Sequence, residues 1–161
     1  MSARVPVYDT GMLIALADRK PKAVRLHEGL RATPHRAIVP GPVLGRVWRP
    51  APSTVRAVAT ALRDCTIPHA RSSPGALRPT AAGQPVCLLC STALDLAEWH
   101  RIGGALGAAD LPPKKRPDAV DAMVAITAVR HGSAVVFTSD PDDISACLSA
   151  LNAQDVRLVA I

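Results

Sequence analysis

The sequence predicts an α/β fold with a central, mainly parallel sheet, on three observations. Short apolar runs alternate with helical patterns along the chain, the signature of βαβ units joined by right-handed crossovers. Two of those runs stop abruptly at an acid: residues 5–8 end at Asp9, and residues 134–138 end at Ser139-Asp140. The chain has 161 residues, 48% of them hydrophobic, which is one ordinary domain with enough apolar side chains for a core.

Val5-Pro6-Val7-Tyr8 reads as the first strand, followed by helices over 11–17 and 21–30. Residues 37–39 are a brief buried-strand candidate closed by Pro40, and residues 42–48 have helical spacing with Val43 and Val47 on one face. Pro50-Ala51-Pro52 stops that segment, and Ser53 is the expected N-cap of a helix over 54–63. Residues 68–91 hold Pro68, Pro74, Pro79 and Pro85 with Gly75 and Gly83, so this stretch is expected as an irregular insertion within a single domain spanning 1–161. A helical pattern returns over 92–106, with room for a break at Gly103-Gly104. Residues 111–117 are a proline-rich loop carrying Lys114-Lys115-Arg116. Asp118 opens a helix with Val120, Val124, Ala128 and His131 along one side and Gly132 just past its end. A strand over 134–138, a helix over 142–151 and a strand over 156–161 complete the chain.

Composition bounds the function classes. With one Phe, one Tyr and two Trp, the core must be aliphatic. Nineteen basic residues against thirteen acidic ones give a formal charge of +6, which favours polyanions such as RNA and equally serves solubility. Four irregularly spaced cysteines do not make a disulfide scaffold, no signal-peptide pattern opens the chain, and no apolar run is long enough to cross a bilayer. A reduced cytoplasm without membrane attachment is the expectation.

In parallel sheets the functional crevice lies outside the carboxyl ends of the strands. Asp9 and Asp140 follow strands there, and Asp118 and Asp121 sit in the first turn of a helix. Carboxylates gathered at one such edge repel one another unless a cation joins them, and hard oxygen ligands suit Mg²⁺ or Mn²⁺. The structural alternative differs by residue: Asp118 as helix N-cap, Asp142 as a first-turn acid, and Asp9 as cap of the helix that follows it.

Four stretches resemble the PIN-domain ribonucleases, and in particular the VapC-type toxins of type II toxin–antitoxin pairs: residues 7–16, 39–49, 118–125 and 138–143. Their order spans nearly the whole chain. The resemblance implies a PIN-like three-layer α/β/α sandwich and a Mg²⁺- or Mn²⁺-dependent endoribonuclease. It implies Asp9, Asp121 and Asp140 as catalytic metal-binding acids, with Asp118 and Asp143 as neighbours in the metal shell. It further implies a cognate antitoxin covering the crevice and a homodimer. Thr10 and Ser139, beside the acids, would orient a carboxylate or phosphate or serve as turn caps. Lys114-Lys115-Arg116 would steer the RNA backbone. One departure stands out: the family's glutamate in the third helix falls at Arg46, beside Gly45, and a guanidinium cannot ligate a cation. The alternative reading is therefore a catalytically degenerate PIN module that binds RNA or a protein without cleavage.

Other signals carry less. Asp9-Thr10-Gly11 spells the aspartic-protease signature, but that chemistry needs two such turns in an all-β setting. A phosphotransferase with Asp9 as nucleophile would want a second Asp where Gly11 stands. Cys87-Leu88-Leu89-Cys90 is half a zinc motif, with Cys65, His69 and His100 as conceivable partners. There is no glycine-rich phosphate loop. His131, at a helix C-terminus, is explained by the helix dipole.

Overall fold

A computed structural model describes residues 4–48, 52–68, 88–112, 115 and 117–161. The N-terminal half runs β1 (Val5–Tyr8), α1 (Thr10–Ala17), α2 (Pro21–Arg31), β2 (Ala37–Ile38), α3 (Gly41–Val47), α4 (Pro52–Leu62) and β3 (Cys65–Thr66). The C-terminal half runs α5 (Leu88–Ser91), α6 (Leu96–Ala108), α7 (Ala119–Arg130), β4 (Ala134–Thr138), α8 (Pro141–Ala150) and β5 (Val156–Ala160).

The strands form one sheet in the order β3-β2-β1-β4-β5, and every pairing is parallel. Parallel strands need crossovers, and right-handed crossovers that step in opposite directions from the sheet centre put their helices on opposite faces. Here β1 leads to β2 on one side and β4 leads to β5 on the other, so the result is a three-layer α/β/α sandwich. On one face α1 packs against α2 and α4; on the other, α7 packs against α6 and α8. α3 touches both α1 and α7, which brings its residues to the edge between the layers. The core is aliphatic as composition requires, with Val7, Met12, Leu13, Ile38, Val124, Ile126, Val136 and Ile144 fully or almost fully buried. The large aromatic side chains at its centre are Tyr8 and Phe137, packed edge-on with ring centroids 5.8 Å apart.

Several boundaries differ from the sequence expectation. β3 was not foreseen as a strand: two residues give no periodic signal, and only pairing of Ala37 with Cys65 and Ile38 with Thr66 defines it. α4 starts at Pro52, not after Ser53, because proline is preorganised for the first helical turn. α6 begins at Leu96 rather than at 92. Asp95 caps it, accepting from the Glu98 amide at 2.8 Å while Glu98 accepts from the Asp95 amide at 3.0 Å. No break falls at Gly103-Gly104, since Ile102 and Ala105 on either side are buried and hold the helix to its neighbours. Within the expected irregular insertion, residues 88–91 are the helical turn α5; residues 69–87, including His69 and Cys87, lie outside the described residues. Lys114 and Arg116 do too. Among the described residues no helix is long and apolar enough to cross a membrane.

Candidate acidic site at the strand ends

The order of strand addition reverses between β1 and β4, which are adjacent and parallel in the sheet, and this is the position where open parallel sheets form their crevice. The register pairs Tyr8 with Phe137, so the residues just beyond, Asp9 and Thr138, come side by side. The Asp9 amide donates to the Phe137 carbonyl at 3.1 Å, extending the ladder to the strand end.

Asp9 is 5% exposed and both its oxygens are used. Oδ1 accepts from the Thr10 amide at 2.5 Å, capping α1. Oδ2 accepts from the Thr138 hydroxyl at 2.7 Å. That hydroxyl in turn accepts from the Asp140 amide at 2.9 Å, so one buried threonine couples the two strand-end acids. Sequence reasoning missed Thr138; its one signal is a polar residue closing an otherwise apolar strand. The expected hydroxyls behave differently. Thr10 Oγ1 is buried and has no hydrogen-bond partner, and Ser139 is exposed.

α7 presents its N-terminus to the same edge through a reciprocal capping box. Asp118 Oδ1 accepts from the amides of Val120 and Asp121 at 2.8 and 3.2 Å. Asp121 Oδ2 accepts from the Asp118 amide at 2.8 Å. The second Asp118 oxygen pairs with the Arg46 guanidinium at 2.6 Å. Both oxygens of Asp118 are thus committed, one to α7 and one to α3, so its place is structural as well as electrostatic.

α8 contributes Asp140 at its N-cap position, without a side-chain cap bond, and Asp143 in its first turn. Asp143 is 9% exposed, and among the described residues its buried Oδ1 has no partner but Lys115. Lys115, from the loop before α7, places Nζ 2.7 Å from Asp140 Oδ1 and 3.2 Å from Asp143 Oδ1. Lys115, expected to steer the RNA backbone, here engages the acids. Asp142, beside them, is exposed.

The acids feel one another. Burial raises the Asp121 carboxyl to about 6, and the charges of Asp118, Asp9 and Asp143 push it the same way against the capping hydrogen bond. Beneath them, burial and then Asp121, Asp143 and Asp118 push the Cys147 thiol up to about 11. Asp9, Asp118, Asp121 and Asp143 are therefore close enough at the switch point to act on one another's charge.

For the divalent ion that the PIN resemblance implies, the donors fit in kind: they are hard carboxylate oxygens, one of them buried and met only by the Lys115 ammonium among the described residues. They do not stand ready. Among the described residues no three His, Cys, Asp or Glu side chains form a ligating group, and Asp118, Asp140 and Asp143 pair with Arg46 and Lys115. The half zinc motif fares similarly. Cys90 lies 3.6 Å from His131 Nε2, and Cys65 donates to the Ala61 carbonyl, so the two described cysteines of that idea turn to separate local partners. His131 is the C-cap of α7, as its position suggests. Its Nδ1 is 2.7 Å from the Thr127 carbonyl.

Comparison with protein-family models, with curated proteins and with solved structures gives no match.

Proposed function

We propose that this chain is a PIN-type endoribonuclease, the toxin of a toxin–antitoxin pair, which uses Mg²⁺ or Mn²⁺ to hydrolyse RNA phosphodiester bonds in the cytoplasm. The observation that carries the reading is the gathering of Asp9, Asp118, Asp121 and Asp143 at the β1–β4 switch point, where burial first, and then the charges of the other three, raise the Asp121 carboxyl to about 6. Perturbed carboxyls clustered in a strand-end crevice are what metal-assisted hydrolysis needs.

Asp9, Asp121, Asp140 and Asp143 would hold the ion, with Asp118 as the neighbour that fixes Asp121. A divalent ion bound there supplies a water of lowered pKa and neutralises charge developing on the phosphate. The protein's own part is orientation. Thr138 holds Asp9 and the Asp140 amide in one arrangement, and the capping box fixes the Asp121 carboxylate against α7. The +6 balance of the chain supports a polyanionic substrate. An antitoxin and a homodimer belong to the same reading and rest on the resemblance.

A second reading has its own observation. The Arg46–Asp118 pair puts a cation where the resembling family carries a glutamate, which favours a PIN module that binds without cutting. One experiment separates the two: purified protein, free of any antitoxin, incubated with a mixed RNA pool in Mn²⁺, in Mg²⁺ and in chelator, beside Asp121→Asn. Metal-dependent cleavage that falls by roughly a hundredfold or more in the variant is expected, the scale of losing a group that acts in the transition state. Intact RNA in every metal, with RNA still retained by the folded protein, establishes the binding module instead.

A further inference from the structure

We propose that Lys115 is a resident counter-cation of the acidic crevice, bridging Asp140 and Asp143 and competing with the divalent ion for them. This rests on the metal-dependent reading above and adds a residue that no strand-end pattern assigns.

Three observations carry it. First, Lys115 reaches two acids at once, with Nζ 2.7 Å from Asp140 Oδ1 and 3.2 Å from Asp143 Oδ1. Second, Asp143 is nine-tenths buried, and among the described residues its Oδ1 has only the Lys115 ammonium, at 3.2 Å, for a partner. A hard cation with several coordination positions satisfies such an oxygen better. Third, the backbone at Lys115 is anchored, its amide donating to the Pro112 carbonyl at 2.8 Å. The stem starts from a fixed point while the side chain, 39% exposed, remains displaceable.

Arg46 is not equivalent. Its partner Asp118 already gives its other oxygen to α7, so displacing Arg46 frees one oxygen of a structural residue. Displacing Lys115 uncovers two carboxylates of the crevice at once. A lysine in this position sets the ion concentration at which the site fills, and once released it stands beside the crevice with a charge suited to a phosphate.

The test is metal uptake, independent of RNA. Mn²⁺ is titrated into the full chain, treated beforehand with chelator, and free Mn²⁺ is read by its electron paramagnetic resonance signal for wild type, Lys115→Met, Lys115→Gln and Lys115→Arg. Removing a unit charge about 4 Å from a doubly charged ion should tighten Mn²⁺ roughly thirtyfold in the Met and Gln variants, the scale of the Coulomb interaction in bulk water. The Arg variant should stay near wild type. Without metal the Met and Gln variants should melt lower than wild type, and Mn²⁺ should raise their melting temperature by more. Equal Mn²⁺ affinity in all four proteins overturns the proposal, as does absence of uptake by every one of them. Tighter Mn²⁺ without RNA cleavage keeps the counter-cation and removes the nuclease. Cleavage by the wild type with unchanged affinity in the variants does the reverse.

Discussion

Burial disfavours the charged form of any titratable side chain, so the same physics raises the acid Asp121 to about 6 and lowers the base His27. The consequences for stability have opposite signs. Asp121 holds its proton more tightly folded than unfolded, so its contribution is full below the ordinary carboxyl value of 3.8 and is lost as pH rises through about 6. His27 is lowered chiefly by burial, with Asp64 pulling the other way; its contribution is present above its ordinary 6.5 and is lost as pH falls through the depressed folded value. The His27 ring is anchored by Tyr8, whose hydroxyl lies 2.8 Å from Nδ1, and faces Asp64 at 3.7 Å beside Arg31. Between pH 7.5 and 5.5 the His27 contribution falls while that of Asp121 rises, so wild type should lose more melting temperature over that range than His27→Gln. The curve of His27→Gln should not be flat, because His131 is lowered by burial as well. Superimposable pH curves would mean that His27 titrates alike in both states.

Two helix ends show how an element rather than a residue builds the site. α7 satisfies its first amides with Asp118 and Asp121, so the segment that starts the helix also aims a carboxylate at the strand ends. α3 ends in a turn whose Arg46 crosses to that cap. The pair is half exposed on both sides, so its own worth is on the order of 0–1 kcal/mol. Arg46→Glu exchanges attraction for repulsion beside Asp118 and should cost roughly 0.5–1.5 kcal/mol of metal-free stability, a modest sum of a lost pair and a like-charge contact. With Mn²⁺ present the loss should shrink, and any wild-type cleavage should rise, because the new carboxylate joins the acids across from α3. Chemical denaturation with and without Mn²⁺, run beside the RNA assay, reads both effects. A variant that gains neither metal response nor cleavage would show that this turn of α3 does not address the crevice, and Arg46 would then carry no information about catalysis.

At the scale of the whole molecule, what is legible in the sequence is what lies close in the chain. β1 and β4 are apolar runs that adjoin an acid, so strand and candidate site residue are read together; Asp118 and Gly132 bracket α7 by their capping preferences. Contacts between distant segments leave no such trace. Thr138 and Asp9 are 129 residues apart, Lys115 and Asp140 are 25, and β3 exists only through its pairing with β2. The sheet order that makes β1 and β4 neighbours is of that kind too, and the entire crevice depends on how closely those two strand ends approach. Gly11 measures that approach. A Cβ there would run into Ser139 Oγ and stand 2.7 Å from Ser139 Cβ and 2.9 Å from the Ser139 backbone nitrogen. The first turn of α1 thus lies against the chain leaving β4, two residues after Asp9 and one before Asp140. Gly11→Ala should destabilise the fold by about 1–3 kcal/mol, the usual cost of overpacking a tight contact. Ser139→Gly in the same chain removes the side-chain part of the clash and leaves the backbone part, so the double variant should recover some of the loss but not all. Denaturation midpoints of the two single variants, the double variant and wild type close the cycle. Strictly additive losses would mean that α1 and the end of β4 do not touch as placed, and with that the convergence of Asp9 and Asp140 would lose its structural basis.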